Sequence, residues 1–253
     1  MPGSASGLLV ATWNVHGGVG RDRRYAPARI ADVVREMQAD IVALQEVGER
    51  NGENMLAALV AASGFHAVQG WTCKRWGCDY GNVVLSRFPI RESHRLDLTA
   101  PRCEPRGALD VVVDAPVRPL RVIATHLGLR PGERRMQVKR LLKALEHEAV
   151  HPTVLTGDVN EWYLWGRPLR WLHAHFGVTP APATFPSGRP VLSLDRLWTE
   201  PAAMLDAVNV HATALARVAS DHLPLVARLR WPTMAPTPVH ATIDDPDPDP
   251  EAP

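Results

Sequence analysis

Between residues 8 and 230 the apolar residues fall into short runs that end on polar ones, and this punctuation predicts the elements. Residues 8–15 read as a buried strand, followed by a Gly/Arg loop. An amphipathic helix is expected over about 27–37, where Pro27 suits a first helical position. Another apolar strand occupies 41–46, and a helix near 53–62 leads into hairpin-like β runs at 65–70, 82–86 and 94–98. The runs 108–113 and 120–126 flank a turn containing Asp114, Pro116 and Pro119, which predicts an antiparallel pair. A long helix follows over about 132–148, then a short strand at 153–156, an aromatic loop bearing Trp162, Tyr163, Trp165 and Trp171, and final strands at 194–199 and 225–230.

Helices outnumbered by strands, many of them adjacent in sequence, predict an α/β (α+β) fold of mixed layers. No repeat is visible and no Pro/Gly/Ser linker divides residues 1–231, so one domain is expected there. Residues 232–253 hold seven prolines, five acids (Asp244, Asp245, Asp247, Asp249, Glu251) and neither lysine nor arginine. Such a segment cannot bury apolar surface and is expected to be a disordered tail.

Composition narrows the classes. Of 253 residues, 45 % are hydrophobic, enough for a substantial core, and no run approaches the ~18 apolar residues of a membrane-spanning helix. Residues 1–7 lack a secretory signature, and Cys73, Cys78 and Cys103 lack zinc-module spacing, so a cytoplasmic protein with reduced thiols is expected. Without the acidic tail, residues 1–231 carry a net charge of +6, supplied by 25 arginines against three lysines. Guanidinium groups suit bidentate contacts with phosphate oxygens.

Candidate chemistry sits where strands end. Asn14 closes the first run, Glu46 the second, His126 the strand at 120–126, and Asp158 and Asn160 follow 153–156; Asp221-His222 precedes the last strand. Strand ends on one rim are where a layered scaffold gathers a cleft. Singly, each has an ordinary explanation: Asn14 as a turn cap, Glu46 as an arginine's partner, Asp158 as an Asx-turn. As a set they offer a hard oxygen site for a divalent cation (Glu46, Asn14, Asp221), two imidazoles and an Asp/Asn pair, a donor set that favours Mg²⁺ or Mn²⁺ over zinc.

The motifs then become specific. Trp13-Asn14-Val15, Leu44-Gln45-Glu46-Val47, Gly81-Asn82-Val83-Val84-Leu85-Ser86-Arg87, Thr125-His126-Leu127, Gly157-Asp158-Val159-Asn160, Leu194-Asp195-Arg196-Leu197 and Ser220-Asp221-His222-Leu223-Pro224 occur in order across residues 8–230. This set resembles the endonuclease/exonuclease/phosphatase superfamily of DNase I-like, metal-dependent phosphohydrolases. The resemblance implies a four-layer sandwich of two packed mixed β-sheets flanked by helices. It also implies Glu46 as principal Mg²⁺ ligand with Asn14 beside it and Asp221 nearby. Asp158 would orient or deprotonate water, and Asn160 would hold the phosphate or that aspartate. His126 would contact phosphate or transfer a proton, and Asp195 would orient the second histidine, His222.

One position departs: His16 stands where members of the exonuclease III type carry an aspartate, which weakens a DNA-repair reading. The expected activity is Mg²⁺-dependent hydrolysis of a phosphodiester by direct water attack in a monomer. The substrate would be nucleic acid, a phospholipid or a small phosphodiester, with no integral membrane association. A nuclease of the exonuclease III or DNase I type and a phosphomonoesterase are the alternatives, and a silent binding module is the least favoured. Arg134 and Gln137 fit the family's Arg-x-x-Gln pattern, with Gln137 read as helix packing or a buried hydrogen bond, and Arg87 reads as a structural anchor or a group facing phosphate. Two aromatic clusters, Trp71/Lys74/Arg75/Trp76/Tyr80 and Trp162/Tyr163/Trp165/Trp171, suit base stacking or a lipid boundary, though the simpler reading of the second packs it against the body. Thr184, Phe185, Pro186 and Arg189 are expected to wall the pocket.

Overall fold

The computed structural model describes residues 7–50, 52–75, 77–145 and 150–231. The expected tail, Trp76 and the end of the helix expected to reach 148 lie outside these residues. The elements run β1 (Leu8–Asn14), α1 (Pro27–Met37), β2 (Ile41–Arg50), β3 (Glu53–Asn54), α2 (Met55–Ser63), β4 (His66–Arg75), β5 (Cys78–Ser86), β6 (Ile90–Asp97), β7 (Gly107–Val113) and β8 (Leu120–His126). Then come α3 (Pro131–Leu145), β9 (Thr153–Asp158), α4 (Arg167–Phe176), β10 (Asp195–Glu200), β11 (Leu205–Val210), α5 (Ala214–Ala219) and β12 (Leu225–Leu229).

Two mixed sheets result. The first has the order β11-β12-β1-β2-β5-β4, with β3 paired to β2, and is parallel only at β1·β2; the second has the order β10-β9-β8-β7-β6 and is parallel only at β8·β9. Side chains alternate across each strand with a period of two. On β1, Leu8 and Val10 face the second sheet while Ala11 and Trp13 face the helices; on β2, Ile41 and Ala43 face inward and Val42 and Leu44 outward. Leu109, Val111, Leu120, Val122, Val154 and Leu197 complete the layer between the sheets. Helices α1, α2 and α5 cover one outer face, and α3 and α4 cover the other. The expected four-layer α/β sandwich is the observed one. Among the described residues, no helix is long and apolar enough to cross a membrane.

Four elements were not anticipated, among them the two-residue β3 where the helix near 53–62 was expected to begin, and two expectations need correcting. The aromatic stretch read as one loop through Trp171 contains α4, whose Pro168 sits in the first turn and whose Leu169, Leu172 and Phe176 point at one core. β11 and the short α5, capped by Thr213 accepting from Ala216 N–H, also arise where no element was expected. Trp71 to Arg75 is not loop but the end of β4, paired to β5 as far as Arg75↔Cys78.

Candidate active site

The polar strand ends belong to the same faces that hold the inter-sheet core. Counting by twos from Val10 reaches Asn14, from Val122 reaches His126, from Val154 reaches Asp158, and from Leu197 back reaches Asp195. The inter-sheet layer therefore changes from apolar to polar at one rim. Register aligns three of these groups, because His126 and Asp195 are both partners of Asp158 on neighbouring strands. Gly157 permits that alignment: its φ is 144°, and a Cβ there would stand 1.9 Å from the Thr125 carbonyl oxygen.

Glu46 has the wrong parity and reaches the rim by a different device. Between Leu44↔Val83 and Val47↔Gly81, β2 spends two residues where β5 spends one, and Glu46 takes a φ of 64°. The bulge re-aims a side chain that a regular strand would send to the helices. Its neighbour Gln45 stays buried in the inter-sheet layer, bonded to Thr12.

The groups converge. Asn14 Nδ2 donates to both Glu46 Oε1 (3.1 Å) and Asp158 Oδ2 (3.0 Å). His126 Nε2 lies 3.6 Å and His222 Nε2 3.7 Å from that same Asp158 oxygen, and His126 Nε2 is 4.0 Å from Glu46 Oε1. His222 Nδ1 donates to Asp195 Oδ2 at 2.8 Å, and the Thr184 hydroxyl donates to the same oxygen at 2.5 Å. Phe185 packs over the His222 ring with centroids 4.8 Å apart. Ser220 and Trp13 fix the segment, since Ser220 Oγ donates to the Asn14 carbonyl and Trp13 Nε1 to the His222 carbonyl.

Asn160 supports rather than faces this centre: its backbone N–H donates to Asp158 Oδ1 and its side-chain amide to the Leu127 carbonyl. Asp221, the chain neighbour of His222, has a carboxylate oxygen 3.3 Å from Ser220 Oγ and 3.9 Å from His16 Nδ1. His16 is exposed, with a ring nitrogen 3.0 Å from the Val19 carbonyl. Arg134 pairs with buried Glu161, Gln137 accepts from Gly128 N–H, and Arg87 pairs with Asp40, so all three hold structure. The second aromatic cluster is corrected: Trp162, Tyr163 and Trp165 are exposed, and Trp171 alone packs, on α4 against the third core.

A supporting chain was missed by sequence reasoning. The Tyr80 hydroxyl donates to Glu46 Oε2 at 2.5 Å and accepts from Arg75 at 3.2 Å; Arg75 also pairs with Glu104 at 2.6 Å. Glu104 in turn pairs with Arg106, whose guanidinium stands 3.4 Å from His126 Nδ1. The only sequence signal was the hydroxyl and cations of the β4–β5 hairpin, which were grouped as an aromatic loop.

Electrostatics follows from these contacts. Burial pushes the Glu46 carboxyl up, but the His126 ring and the Tyr80 and Asn14 hydrogen bonds outweigh it and hold it to about 2. Burial, with Arg106 behind the ring, lowers His126 to about 3, so it is neutral at pH 7. With Nδ1 accepting from Arg106, its proton sits on Nε2, facing Asp158 and Glu46. Burial opposes charge on His222 too, yet Asp195 and Asp158 raise it to about 10. Asp158 is pushed up to about 6 by burial, with Asp195 adding to the rise against the pull of His222.

Ligand atoms of Asp158, Asp195 and His222 all lie within 4.8 Å of one another, close enough to hold a metal ion. A second donor set, Glu46 with Asp158, offers two carboxylates bridged by one amide. A protonated His222 disfavours a cation at the first set, while an ionised Glu46 favours one at the second. The oxygen donors present thus fit a hard divalent cation.

Residues 11–222 match the Endonuclease/Exonuclease/phosphatase family, and the chain belongs to it. Members of this family are phosphohydrolases and nucleases acting on phosphate esters, generally with a divalent metal. The chain is 31 % identical over 244 residues to the protein YbhP of Escherichia coli K12, covering 87 % of this chain and 95 % of the relative. It resembles the structure of an endonuclease/exonuclease/phosphatase from Beutenbergia cavernae (29 % identity, TM-score 0.76, 88 % of this chain, 71 % of that one). It also shares its fold with the mannosyl-6-phosphatase Bt3783 of Bacteroides thetaiotaomicron (17 % identity, TM-score 0.68, 88 % and 100 % covered).

Proposed function

We propose that the protein is a metal-dependent phosphodiesterase that cleaves by direct water attack. The observation that carries this is the meeting of Asn14, His126 and His222 on one oxygen of Asp158, with Glu46 bonded to the same Asn14 amide. Glu46 would hold the cation, with Asn14 beside it and Asp221 in the surrounding shell. A bound Mg²⁺ or Mn²⁺ supplies charge neutralisation at the phosphate.

The chain's own groups do the rest. Asp158, raised toward neutrality, takes a proton from water as the new P–O bond forms and the ester P–O bond breaks on the far side, the leaving alkoxide taking its proton from solvent. His222, held cationic by Asp195, donates to the phosphoryl oxygens where negative charge builds. His126 offers a neutral Nε2–H, a donor that adds no net charge. All these groups come from one chain, which supports a monomer as the working unit.

The test is hydrolysis of bis(p-nitrophenyl) phosphate with Mg²⁺ or Mn²⁺. Glu46→Gln and Asp158→Asn are each expected to lower kcat by about a thousandfold or more with the fold retained. Full turnover by either variant, or by the wild type in excess EDTA, rejects the reading.

A further inference from the structure

Two loops leave the catalytic strands and end in exposed apolar side chains. Beyond His126, Leu129 is 63 % exposed; beyond Asp158, Trp162, Tyr163, Leu164 and Trp165 are 57 to 75 % exposed. The loops are pinned side by side. Buried Arg134 on α3 donates to the Gly128 and Leu129 carbonyls (3.3 and 2.6 Å) and pairs in bidentate fashion with buried Glu161 (3.1 and 3.2 Å). Glu161 Oε1 also accepts from Tyr163 N–H, and Gly166 N–H closes a turn on the Tyr163 carbonyl. A desolvated ion pair is a costly way to shape a loop whose rings then face water. Contiguous exposed apolar patches of this kind mark interaction surfaces.

Along the two loop segments the exposed charges share one sign. In segments 128–135 and 161–170 the acids Glu133 and Glu161 are buried, while Arg130, Arg135, Arg167 and Arg170 are exposed. Trp and Tyr favour the headgroup level of a bilayer, Leu favours its acyl boundary, and arginines attract anionic headgroups. Leu129 and Leu164 offer no π-face for a base, which favours lipid over single-stranded nucleic acid.

We propose that these two loops seat the catalytic mouth on an anionic lipid surface, and that the substrate is a headgroup phosphodiester of that surface. This rests on the phosphodiesterase reading for the substrate, but the docking itself does not.

Full-length protein is sedimented with vesicles of equimolar phosphatidylglycerol and phosphatidylcholine in EDTA, where docking is read without turnover. Wild type is expected to bind. The triple variant Trp162→Ser/Leu164→Ser/Trp165→Ser, its folding checked by thermal melting, is expected to bind at least about tenfold more weakly, each lost side chain removing buried apolar area. Arg130→Gln and Arg167→Gln are expected to weaken binding by about fivefold each at low salt, and not on pure phosphatidylcholine. With Mg²⁺, the wild type is then expected to release water-soluble phosphate esters from the same vesicles.

The proposal is overturned if wild type ignores the vesicles or if the triple variant binds as well. It also falls if the rings serve only to bind a single-stranded oligonucleotide, or only to make a dimer that the variant loses. Binding without release from vesicles, together with turnover of the soluble diester, overturns the lipid substrate alone; failure on the soluble diester instead removes the phosphodiesterase reading and leaves the docking result standing.

Discussion

His126 and His222 are equally buried, each 5 % exposed, and both point Nε2 at Asp158 Oδ2. Their charge states differ. Behind Nδ1 of His126 stands the Arg106 guanidinium, so the ring accepts there and stays neutral. Behind Nδ1 of His222 stands the Asp195 carboxylate, so the ring donates there and stays cationic. Burial alone would discharge both; the group one step behind the ring decides. Asp158 Oδ2 thereby faces one neutral donor and one cation, and in the proposed mechanism the two halves of the site would do different chemistry with the same residue type.

The largest expected effect comes from breaking the His222 half. Asp195→Asn keeps the shape but removes the charge that fixes the ring's tautomer and its proton, and kcat on a soluble phosphodiester is expected to fall about a thousandfold with KM little changed. Wild-type turnover by that variant would mean the Asp195–His222 pair is only structural. Arg106→Gln attacks the other half: without the cation, His126 is expected to titrate closer to its ordinary range in a ring-nitrogen NMR titration. The cost in kcat should be about tenfold, within the range for a single positioned donor. An unmoved titration would assign the suppression of charge to burial alone.

Stability against pH sharpens the same contrast in metal-free protein. The folded value of His222 lies above its unfolded 6.5, so the folded chain holds the extra proton and gains stability that is complete below about pH 6.5 and lost as pH rises toward 10. The Tm advantage of wild type over His222→Gln is therefore expected to shrink between pH 6.5 and 10, by several degrees. Asp158 is raised as well, but its contribution is present below 3.8 and gone above about 6, outside that window. A constant difference across the window would show that His222 is not held cationic.

How much of this was legible depends on the device that places each group. Asn14, His126 and Asp158 lie on regular strands, so apolar runs ending in polar residues located them and period-two counting points them inward; Asp195, which opens its strand, was marked only by its motif and the family resemblance. Glu46 was marked both as the end of its apolar run and by its Leu-Gln-Glu-Val motif, but it arrives through a bulge, so alternation alone would send its side chain to the wrong face. Tyr80, Arg75, Glu104 and Arg106 escaped because they act through other side chains, from a hairpin and a loop with no fixed spacing to the residues they support. Helix α4 was hidden by its aromatic surroundings despite Pro168 and the spacing of Leu169, Leu172 and Phe176, and α5, six residues long, is too short to show a period. Trp162 to Trp165 misled because a run of large apolar residues usually packs inward.

The smallest effect tests how finely Asp195 is tuned. Its Oδ2 accepts from both Thr184 and His222, while its Oδ1 is buried with no partner among the described residues. Thr184→Val removes one donor with little change of shape, leaving the carboxylate to the imidazole alone. Folding stability is expected to drop by about 1 kcal/mol, the usual worth of one such bond. The charge on His222 should move the other way, because an oxygen relieved of the Thr184 bond is more basic and holds the imidazolium more firmly. The variant is thus expected to melt lower than wild type while its His222 ring signal titrates at higher pH. A merely space-filling Thr184 would lower the melt and leave the titration where it was; a titration shifted downward would mean that Thr184 orients Asp195 toward the ring rather than competing for it.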